Sequence, residues 1–315
     1  MPRPKVLLDV PLPGFLEELF VSDCELVPWS LLEADREARS GVRGILSYSH
    51  TPVGPAELDA LPEIAVVSNY GVGVDHIDVN AASERGVPVG NTPGVVDGAT
   101  ADMTLALLLA VARNVVSGDA FARGPRFTAH DPGWMLGRDV FGTVLGIVGL
   151  GRIGREVALR ARGFGMKILY HQRHRNADAE AELDAAYVDL PGLLSGSDFV
   201  TVHVPLTAQT RGLIGEPELR AMKPTAFFVN TARGGVVDHE ALQRALSQGW
   251  ISGAAIDVTD PEPLPRQHPL LALPNLVVTP HLGTGTIQTR ERMARMAREN
   301  LVAGLTGEPL PHRVG

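Results

Sequence analysis

The sequence contains only one cysteine, Cys24, so no disulfide bond can form within a chain. A chain without disulfides is typical of a reducing compartment, and we expect a cytoplasmic protein. Long hydrophobic runs are also missing. The longest, at residues 105–111, is too short to cross a bilayer, and the first residues lack the apolar core of a signal peptide. We therefore expect neither a membrane span nor a secretion signal.

Positive charge is scarce as well. The formal net charge is −8 at pH 7, which argues against a nucleic-acid-binding surface, so an anionic ligand needs a local cationic pocket. We predict no metal site. The residues are 44% hydrophobic and 20% charged, which is typical of a soluble globular enzyme, and 315 residues are enough for two domains.

The most informative motif lies in residues 143–175, TVLGIVGLGRIGREVALRARGFGMKILYHQRHR. An apolar run of strand length leads into G-x-G-x-x-G, then apolar residues recur at helical spacing before a second apolar run. A strand, a glycine turn, a helix and a strand in this order predict a Rossmann unit, in which the glycines allow the turn, the approach of a pyrophosphate and close helix packing. We predict that the pyrophosphate binds at Gly149, Gly151, Arg152, Ile153 and Gly154.

Short apolar runs alternate with helical segments along the chain, which predicts parallel sheets with right-handed crossovers. Strands are predicted near residues 5–10, 44–49 and 63–68, with a polar helical stretch between the first two. Seven further strands are predicted within residues 143–279, whereas residues 114–142 look irregular. We therefore predict an α/β protein with two Rossmann-like domains, each a doubly wound parallel sheet.

The predicted domain division assigns residues 102–285 to a dinucleotide-binding domain. Residues 1–101 and 286–315 form a discontinuous substrate-binding (catalytic) domain, to which the last helix returns. An apolar helix after residue 102 connects the two domains, and the active site is expected in the cleft between them. The irregular residues 114–142 carry three large aromatic side chains, so we predict that they contribute to a homodimer.

Reactive groups are expected at the carboxyl ends of strands, where open α/β sheets bind ligands. Arg233, Glu262 and His281 each follow a predicted strand of the second domain. An arginine can bind a carboxylate bidentately and polarise the adjacent carbonyl, and a histidine can donate a proton near neutral pH, helped by a neighbouring carboxylate. Each residue alone could be structural or solvated, but together they indicate carbonyl reduction with a nicotinamide cofactor.

Six segments match, in order, the pattern of the D-isomer-specific 2-hydroxyacid dehydrogenase family, which the chain resembles from about residue 45 to the final helix. They are NYGVGVDHIDVNAASERGVPVGNTPGVVDGATAD, GIVGLGRIGREVALRARGFGMKILYHQR, HVPLTAQTRGLIG, FFVNTARGGVVDHEAL, GAAIDVTDPEPLP and TPHLGTGTIQTR. The resemblance implies that the catalytic residues are Arg233, Glu262 and His281. It also implies that the backbone N–H groups of Val72 and Gly73 bind the substrate carboxylate beside Arg233, and that His281 is a further substrate-binding residue.

The same resemblance implies a set of cofactor-lining residues. Asp257 matches the position that meets the nicotinamide carboxamide, although it could instead be a hydrogen-bond acceptor at a strand end. Backbone packing alone could explain the others, which are Thr100, Val204, Pro205 and Thr231. Within the family the motifs are most similar to those of glyoxylate and hydroxypyruvate reductases, which implies reduction of a small 2-oxo acid to the D-2-hydroxy acid.

The end of the second Rossmann strand predicts which cofactor is used. In NAD-specific sites an acidic residue there accepts hydrogen bonds from the ribose hydroxyls. Here the position holds Gln172, and Arg173 and Arg175 follow as candidate ligands of a 2′-phosphate. We predict that NADPH is preferred over NADH, which remains a possible cofactor, and that Arg173 contributes more than Arg175. The alternative is an exposed basic turn without a ligand.

Two other functions stay open at this point. A nucleotide-sensing binding protein, like the corepressors that share this fold, can retain the catalytic residues, but extended disordered tails are absent. An NAD-dependent dehydrogenase of the phosphoglycerate type is disfavoured by Gln172 and by the lack of a regulatory extension after Gly315. The sequence therefore favours the 2-oxo acid reductase.

Overall fold

A computed structural model describes residues 3–314 as two compact units. The first unit comprises the chain up to Val96 together with the chain from Gly285, and the second comprises Asp97–Thr284. Each unit contains one sheet in which neighbouring strands run parallel. The predicted α/β architecture with two Rossmann-like parallel sheets is confirmed.

Within residues 3–314, five strands form the sheet of the first unit and seven form that of the second. The first five are β1 (Lys5–Leu8), β2 (Glu25–Pro28), β3 (Val42–Ser47), β4 (Val66–Asn69) and β5 (Val89–Gly90), in the spatial order β2-β1-β3-β4-β5. The others are β6 (Val144–Val148), β7 (Lys167–His171), β8 (Ala185–Tyr187), β9 (Phe199–Val202), β10 (Phe227–Asn230), β11 (Gly253–Ile256) and β12 (Leu276–Val278). Their spatial order is β12-β11-β10-β9-β6-β7-β8.

Helices connect most of these strands. They are α1 (Gly14–Glu17), α2 (Pro55–Asp59), α3 (Val79–Glu84), α4 (Asp97–Ala112), α5 (Val115–Ala122), α6 (Arg152–Arg162), α7 (Ala177–Leu183), α8 (Leu190–Gly196), α9 (Glu216–Ala221), α10 (His239–Ser247) and α11 (Ile287–Thr306). Short 3₁₀ turns occur at Trp29–Glu33, Gly234–Val236 and Pro269–Ala272. Within residues 3–314 no single helix is long and apolar enough to cross a membrane, and only α4 and α5 together, bent by 60°, reach that threshold.

In the first unit, α11 packs directly against the sheet. A Cβ atom on Gly304 of α11 would lie 2.4 Å from Cβ of Val66 on β4, so glycine is needed for the helix to approach this closely. A Cβ atom on Gly44 of β3 would lie 3.0 Å from a methyl group of Leu301. The close approach fixes the last helix of the chain on the central strands of the first sheet.

In the second unit, both faces of the sheet are covered. Buried residues of α4, α6 and α7 pack on one face, and buried residues of α8, α9 and α10 pack on the other. Burial on both sides explains why these strands are continuous apolar runs in the sequence. Strand β6 pairs with β7 on one side and β9 on the other, and this reversal of strand order creates the crevice in which such sheets bind ligands.

The structure differs from the sequence prediction in the region between β1 and β3. A polar helical stretch was expected there, whereas the chain forms α1, the edge strand β2 and a 3₁₀ turn. Strand β2 has only four residues, ELVP, and none of them is fully buried. A strand this short and exposed produces no clear alternation of apolar and polar residues.

Two further differences concern the start of the second unit. Helix α4 begins at Asp97, so the boundary predicted at residue 102 lies inside a continuous helix whose first turn, with Gly98, resembles a loop in sequence. Residues 114–142 are not wholly irregular, because α5 forms at their start. Asn114, with a φ of +53°, separates α5 from α4, and Gly118 lowers the helix propensity that would have revealed it.

Candidate active site

The glycine motif forms the turn between β6 and α6. Gly149 has a φ of +96°, and a Cβ atom on it would lie 2.9 Å from the carbonyl oxygen of His203. A Cβ atom on Gly154 would lie 2.3 Å from the carbonyl oxygen of Gly149, so glycine is required where α6 passes the turn. A Cβ atom on Gly151 would meet no atom within 4 Å. The second glycine therefore borders open space.

The start of α6 suits an anionic ligand. Its N-cap is Gly151, which provides no side-chain cap, and the first N–H groups of a helix have no partner within it. Arg152 and Ile153 form the first turn, where the helix dipole adds partial positive charge. Nε of Arg152 lies 3.7 Å from a carboxylate oxygen of Asp97. Uncapped N–H groups beside open space fit the pyrophosphate of a dinucleotide.

The residues after β7 differ in their contacts. Oε1 of Gln172 accepts a hydrogen bond of 3.1 Å from the backbone N–H of Leu150, and its amide donates to a carbonyl oxygen two residues later at 2.7 Å. Arg175 forms an ion pair with Glu180 at 2.7 Å. The exposed side chain of Arg173 makes no hydrogen bond or ion pair within residues 3–314. Gln172 thus joins this turn to the glycine turn, and Arg173 is the cation there without a partner among residues 3–314.

Threonine hydroxyls connect α4 to the end of β10. The hydroxyl of Thr104 donates to the carbonyl oxygen of Thr100 at 2.8 Å and lies 2.8 Å from the hydroxyl of Thr231. Because Thr104 has a single hydroxyl hydrogen, Thr231 is the donor in the second pair. Val204 and Pro205 follow β9, and Val204 packs so close to the glycine turn that a Cβ atom on its first glycine would lie 2.9 Å away.

Asp257, after β11, holds the loop that carries His281. Its carboxylate accepts hydrogen bonds from the hydroxyl of Thr279 at 2.6 Å and from the backbone N–H groups of Leu282 and Gly283 at 2.7 Å each. The backbone N–H of His281 donates to the carbonyl oxygen of Asp257 at 2.8 Å. These contacts give Asp257 a structural role, while its contact with the nicotinamide remains a prediction.

His281 and Glu262 are brought together. Nδ1 of His281 lies 2.8 Å from Oε1 of Glu262, and both side chains are about one-third exposed. His281 has a φ of +54°, an uncommon conformation for a residue other than glycine, which its backbone hydrogen bonds maintain. Because β10, β11 and β12 are neighbours in the sheet, the loops with Arg233, Glu262 and His281 follow three adjacent strand ends.

The backbone at Arg233 is fixed by the last residue of β10. The buried Asn230 accepts a hydrogen bond from the N–H of Ala232 and donates to the carbonyl oxygen of Arg233, both at 2.9 Å. A Cβ atom on Gly234 would lie 2.0 Å from the carbonyl carbon of Thr259, so this loop passes directly against the loop that follows β11. The Arg233 and Glu262 loops are therefore in contact.

In the first unit, Val72 and Gly73 lie in the loop that follows β4. The carbonyl oxygen of Val72 accepts a hydrogen bond from the side chain of Asn91, and that of Gly73 accepts one from the side chain of Asn69, both at 2.9 Å. Neither Val72 nor Gly73 donates its backbone N–H to an acceptor among the described residues. Two adjacent N–H groups that do not donate to an acceptor among the described residues can bind an anion.

A family model for the NAD binding domain of D-isomer specific 2-hydroxyacid dehydrogenases matches residues 105–283. The chain belongs to this dehydrogenase family. Glyoxylate reductase from Korarchaeum cryptofilum is 50% identical over 271 residues, which cover 86% of this chain and 82% of the relative. A protein structure from Thermus thermophilus has 44% identity and a TM-score of 0.90 over 99% of this chain and 100% of its own.

A third similar protein is an NADPH-dependent glyoxylate/hydroxypyruvate reductase from Sinorhizobium meliloti, solved with NADP and malonate. It has 31% identity and a TM-score of 0.88 over 99% of this chain and 97% of its own. The family resemblance inferred from the sequence motifs is confirmed. This dehydrogenase is an NAD(P)-dependent oxidoreductase whose matched NAD binding domain lies within the second unit.

Sequence reasoning missed the residues that support this site. Asn69 and Asn230 each end a strand and hold the loop that follows it, and Glu180 pairs with Arg175. An asparagine as the last residue of a buried strand was the available signal, because a buried amide needs hydrogen-bond partners nearby. Glu180 gave no signal, since acidic residues are common in the first turn of a helix.

Proposed function

We propose that this dehydrogenase reduces a small 2-oxo acid, of the glyoxylate or hydroxypyruvate type, to the corresponding D-2-hydroxy acid. Its relatives support the proposal, because they include glyoxylate reductases and a glyoxylate/hydroxypyruvate reductase. The observation that carries it is the 2.8 Å pairing of His281 with Glu262 beside the loop of Arg233. An arginine, a histidine and a carboxylate together provide what carbonyl reduction requires from the protein.

In this proposal His281 gives a proton to the carbonyl oxygen of the substrate. Because Nδ1 faces Glu262, Nε2 is the nitrogen that delivers the proton, and the carboxylate stabilises the charged imidazole before transfer. The chemistry that a bound nicotinamide cofactor supplies is hydride donation to the carbonyl carbon. Arg233 binds the substrate carboxylate through its guanidinium fork and polarises the neighbouring carbonyl.

The remaining roles are divided between the two units. The first unit binds substrate, with the N–H groups of Val72 and Gly73 directed at its carboxylate. The second unit would hold the cofactor, with the uncapped N–H groups at the start of α6 available to its pyrophosphate. The residues proposed to line the cofactor beyond that turn are Thr100, Val204, Pro205, Thr231 and Asp257.

NADPH is the proposed cofactor. Gln172 carries no negative charge that would repel a 2′-phosphate, and its amide is occupied by backbone contacts. The neighbouring Arg173 has no partner among the described residues, so its guanidinium is available to bind the phosphate. The relative solved with NADP is described as NADPH-dependent, which supports the same choice.

A homodimer in a reducing cytoplasm completes the proposal. Several large apolar side chains between residues 114 and 142 are exposed, which is unusual for the surface of a monomer. They are Val115, Val116, Phe127, Trp134, Met135, Leu136 and Phe141.

The direct test is a panel of 2-oxo acids offered with NADPH and with NADH, followed by loss of nicotinamide absorbance. We expect glyoxylate and hydroxypyruvate with NADPH to give the highest kcat/KM. Absence of turnover with every 2-oxo acid in the panel, in folded protein that binds NADPH, would overturn the proposed function.

A further inference from the structure

In the loop after β4, asparagine side chains hold three successive carbonyl oxygens, those of residues 71–73. Nδ2 of Asn69 donates to the carbonyl oxygens of Gly71 and Gly73, both at 2.9 Å, and Nδ2 of Asn91 donates to that of Val72 at 2.9 Å. The carbonyl oxygen of Gly71 also accepts a backbone hydrogen bond of 3.0 Å from the residue after Asn91. The orientation of three successive peptide planes is thereby fixed.

Fixing a carbonyl also fixes the next N–H group. In a trans peptide the C=O of one residue and the N–H of the next lie in one plane and point in opposite directions. The bond from Asn69 to Gly71 therefore directs the N–H of Val72 away from Asn69, and the bond to Gly73 does the same for the N–H that follows. Asn91 directs the N–H of Gly73 in the same way.

We propose that Asn69 is a positioning residue for the substrate carboxylate. It acts through the loop, since its own side chain is 98% buried (2% exposed) at the end of β4 and is occupied by two carbonyl oxygens. This inference rests on the proposed function, in which the N–H groups of Val72 and Gly73 bind that carboxylate. Asn69 turns a glycine-rich segment, which is otherwise free to rotate its peptide planes, into a preformed anion site.

The chemistry of the amide explains why asparagine stands at this position. Its nitrogen carries two hydrogens, so one side chain can hold two carbonyl oxygens at once. An aspartate of nearly the same shape offers acceptors only and would repel both oxygens, and a serine offers a single hydrogen. A side chain of the same shape therefore cannot replace Asn69 unless it also donates two hydrogen bonds.

The test compares Asn69→Asp and Asn69→Ser with the wild type. For Asn69→Asp we expect KM for glyoxylate to rise about tenfold or more, because the N–H groups lose their orientation, whereas the Kd of NADPH stays the same. The affinity for oxalate, a dicarboxylate of similar size measured by calorimetry with NADPH present, is expected to fall by a similar factor. Asn69→Ser is expected to give a smaller rise in KM. If Asn69→Asp does not fold, the KM and oxalate affinity of Asn69→Ser test the inference.

Asn275→Asp is the matched control. Its amide also donates to two backbone carbonyl oxygens, those of Leu246 and Ser252 at 3.2 and 3.3 Å, but these belong to the second unit. We expect this variant to lower the thermal midpoint without changing KM for glyoxylate or oxalate affinity. A merely structural role for Asn69 would give the same pattern as Asn275.

Two results overturn the inference in different ways. Folded Asn69 variants with wild-type KM and oxalate affinity, or with an equal loss of NADPH affinity, remove Asn69 from substrate positioning and leave the proposed function intact. A wild type that neither reduces glyoxylate nor binds oxalate overturns the proposed function and this inference with it.

Discussion

Glu180 binds Arg175 through both carboxylate oxygens, with Nε–Oε1 and Nη2–Oε2 distances of 2.7 Å. The hydroxyl of Tyr170 donates to the same carboxylate at 2.5 Å. The hydrogen bonds from Arg175 and Tyr170 lower the pKa of Glu180 to about 2, so the carboxylate is charged at any working pH. Of the two arginines after β7, only Arg173 therefore has a side chain without a hydrogen bond or ion pair among the described residues.

This difference predicts unequal effects on cofactor use. Arg173→Ala is expected to lower kcat/KM with NADPH by about tenfold to a hundredfold, the scale of a charge-assisted hydrogen bond to phosphate, and to leave NADH use unchanged. Arg175→Ala, as the control, is expected to have a smaller effect because its charge is already neutralised. The measurement is the ratio of catalytic efficiencies with the two cofactors, and equal or better use of NADH by the wild type would contradict the prediction.

The sequence predicted two kinds of feature well. These are positions where only one residue type fits, and strands whose residues are all buried. Gly149 and Gly154 stand where a Cβ atom would collide with backbone, so they are visible as a motif. Strand β10, one of the seven strands predicted within residues 143–279, forms at Phe227–Asn230 because all four residues are buried and apolar runs of this length have few alternatives.

The parts that could not be predicted depend on contacts between distant residues. The pairing of the edge strand β2 with β1 requires a neighbouring strand, which periodicity does not reveal. The sequence marked Arg233, Glu262 and His281 through family motifs, but it did not indicate that Asn230 fixes the backbone at Arg233. Hydrogen-bond partners are determined by tertiary structure, so supporting residues are recognised only when the fold is known.

The proton-donor role of His281 predicts a loss of turnover. His281→Ala is expected to lower kcat by roughly a hundredfold or more, the usual contribution of a positioned general acid, with the Kd of NADPH unchanged. His268→Ala is a suitable control, since His268 lies in the connection between β11 and β12 and caps the 3₁₀ turn at Pro269–Ala272. Nearly normal turnover in folded His281→Ala would reject the assignment.

The contact between Glu262 and His281 predicts a change in pH dependence. In the proposed mechanism reduction needs the protonated imidazole of His281, so the rate is expected to fall as pH rises. Glu262→Gln removes the negative charge beside the imidazole, so the fall in rate is expected at a lower pH than in the wild type. Asp260→Asn, which alters a carboxylate in the same loop that pairs with Arg211 instead, should keep the wild-type profile. An unchanged profile in Glu262→Gln would exclude Glu262 from proton transfer.

The exposed apolar surface of residues 114–142 predicts a homodimer. Leu136 and Phe141 are 77% and 69% exposed, and Leu136→Asp with Phe141→Asp is expected to shift the protein to a monomer, because charges in a buried interface are costly. Mass measured by light scattering at micromolar concentration tests this. Phe15→Asp, at an apolar residue of the first unit that is 45% exposed, should leave the mass unchanged. A monomeric wild type would disprove the prediction.

The burial of the His203 imidazole predicts how the free energy of unfolding depends on pH. Although the residue is partly exposed, its Nδ1 atom is buried without a hydrogen-bond partner among the described residues, and Nε2 lies 2.9 Å from the hydroxyl of Thr201. Burial lowers the pKa of His203 to about 3. The unfolded chain takes up a proton near pH 6.5 and the folded chain does not, so the free energy of unfolding falls as pH drops below about 6.5.

The test of this dependence is chemical unfolding at pH 7 and pH 5. His203→Gln removes the titrating group, so the loss of stability between these two pH values is expected to be smaller than in the wild type by roughly 1 to 2 kcal/mol. His130→Gln, which changes an exposed histidine, should retain the wild-type loss. If His203→Gln and the wild type lose the same free energy between pH 7 and pH 5, His203 is protonated in the folded protein and its burial does not oppose the charge.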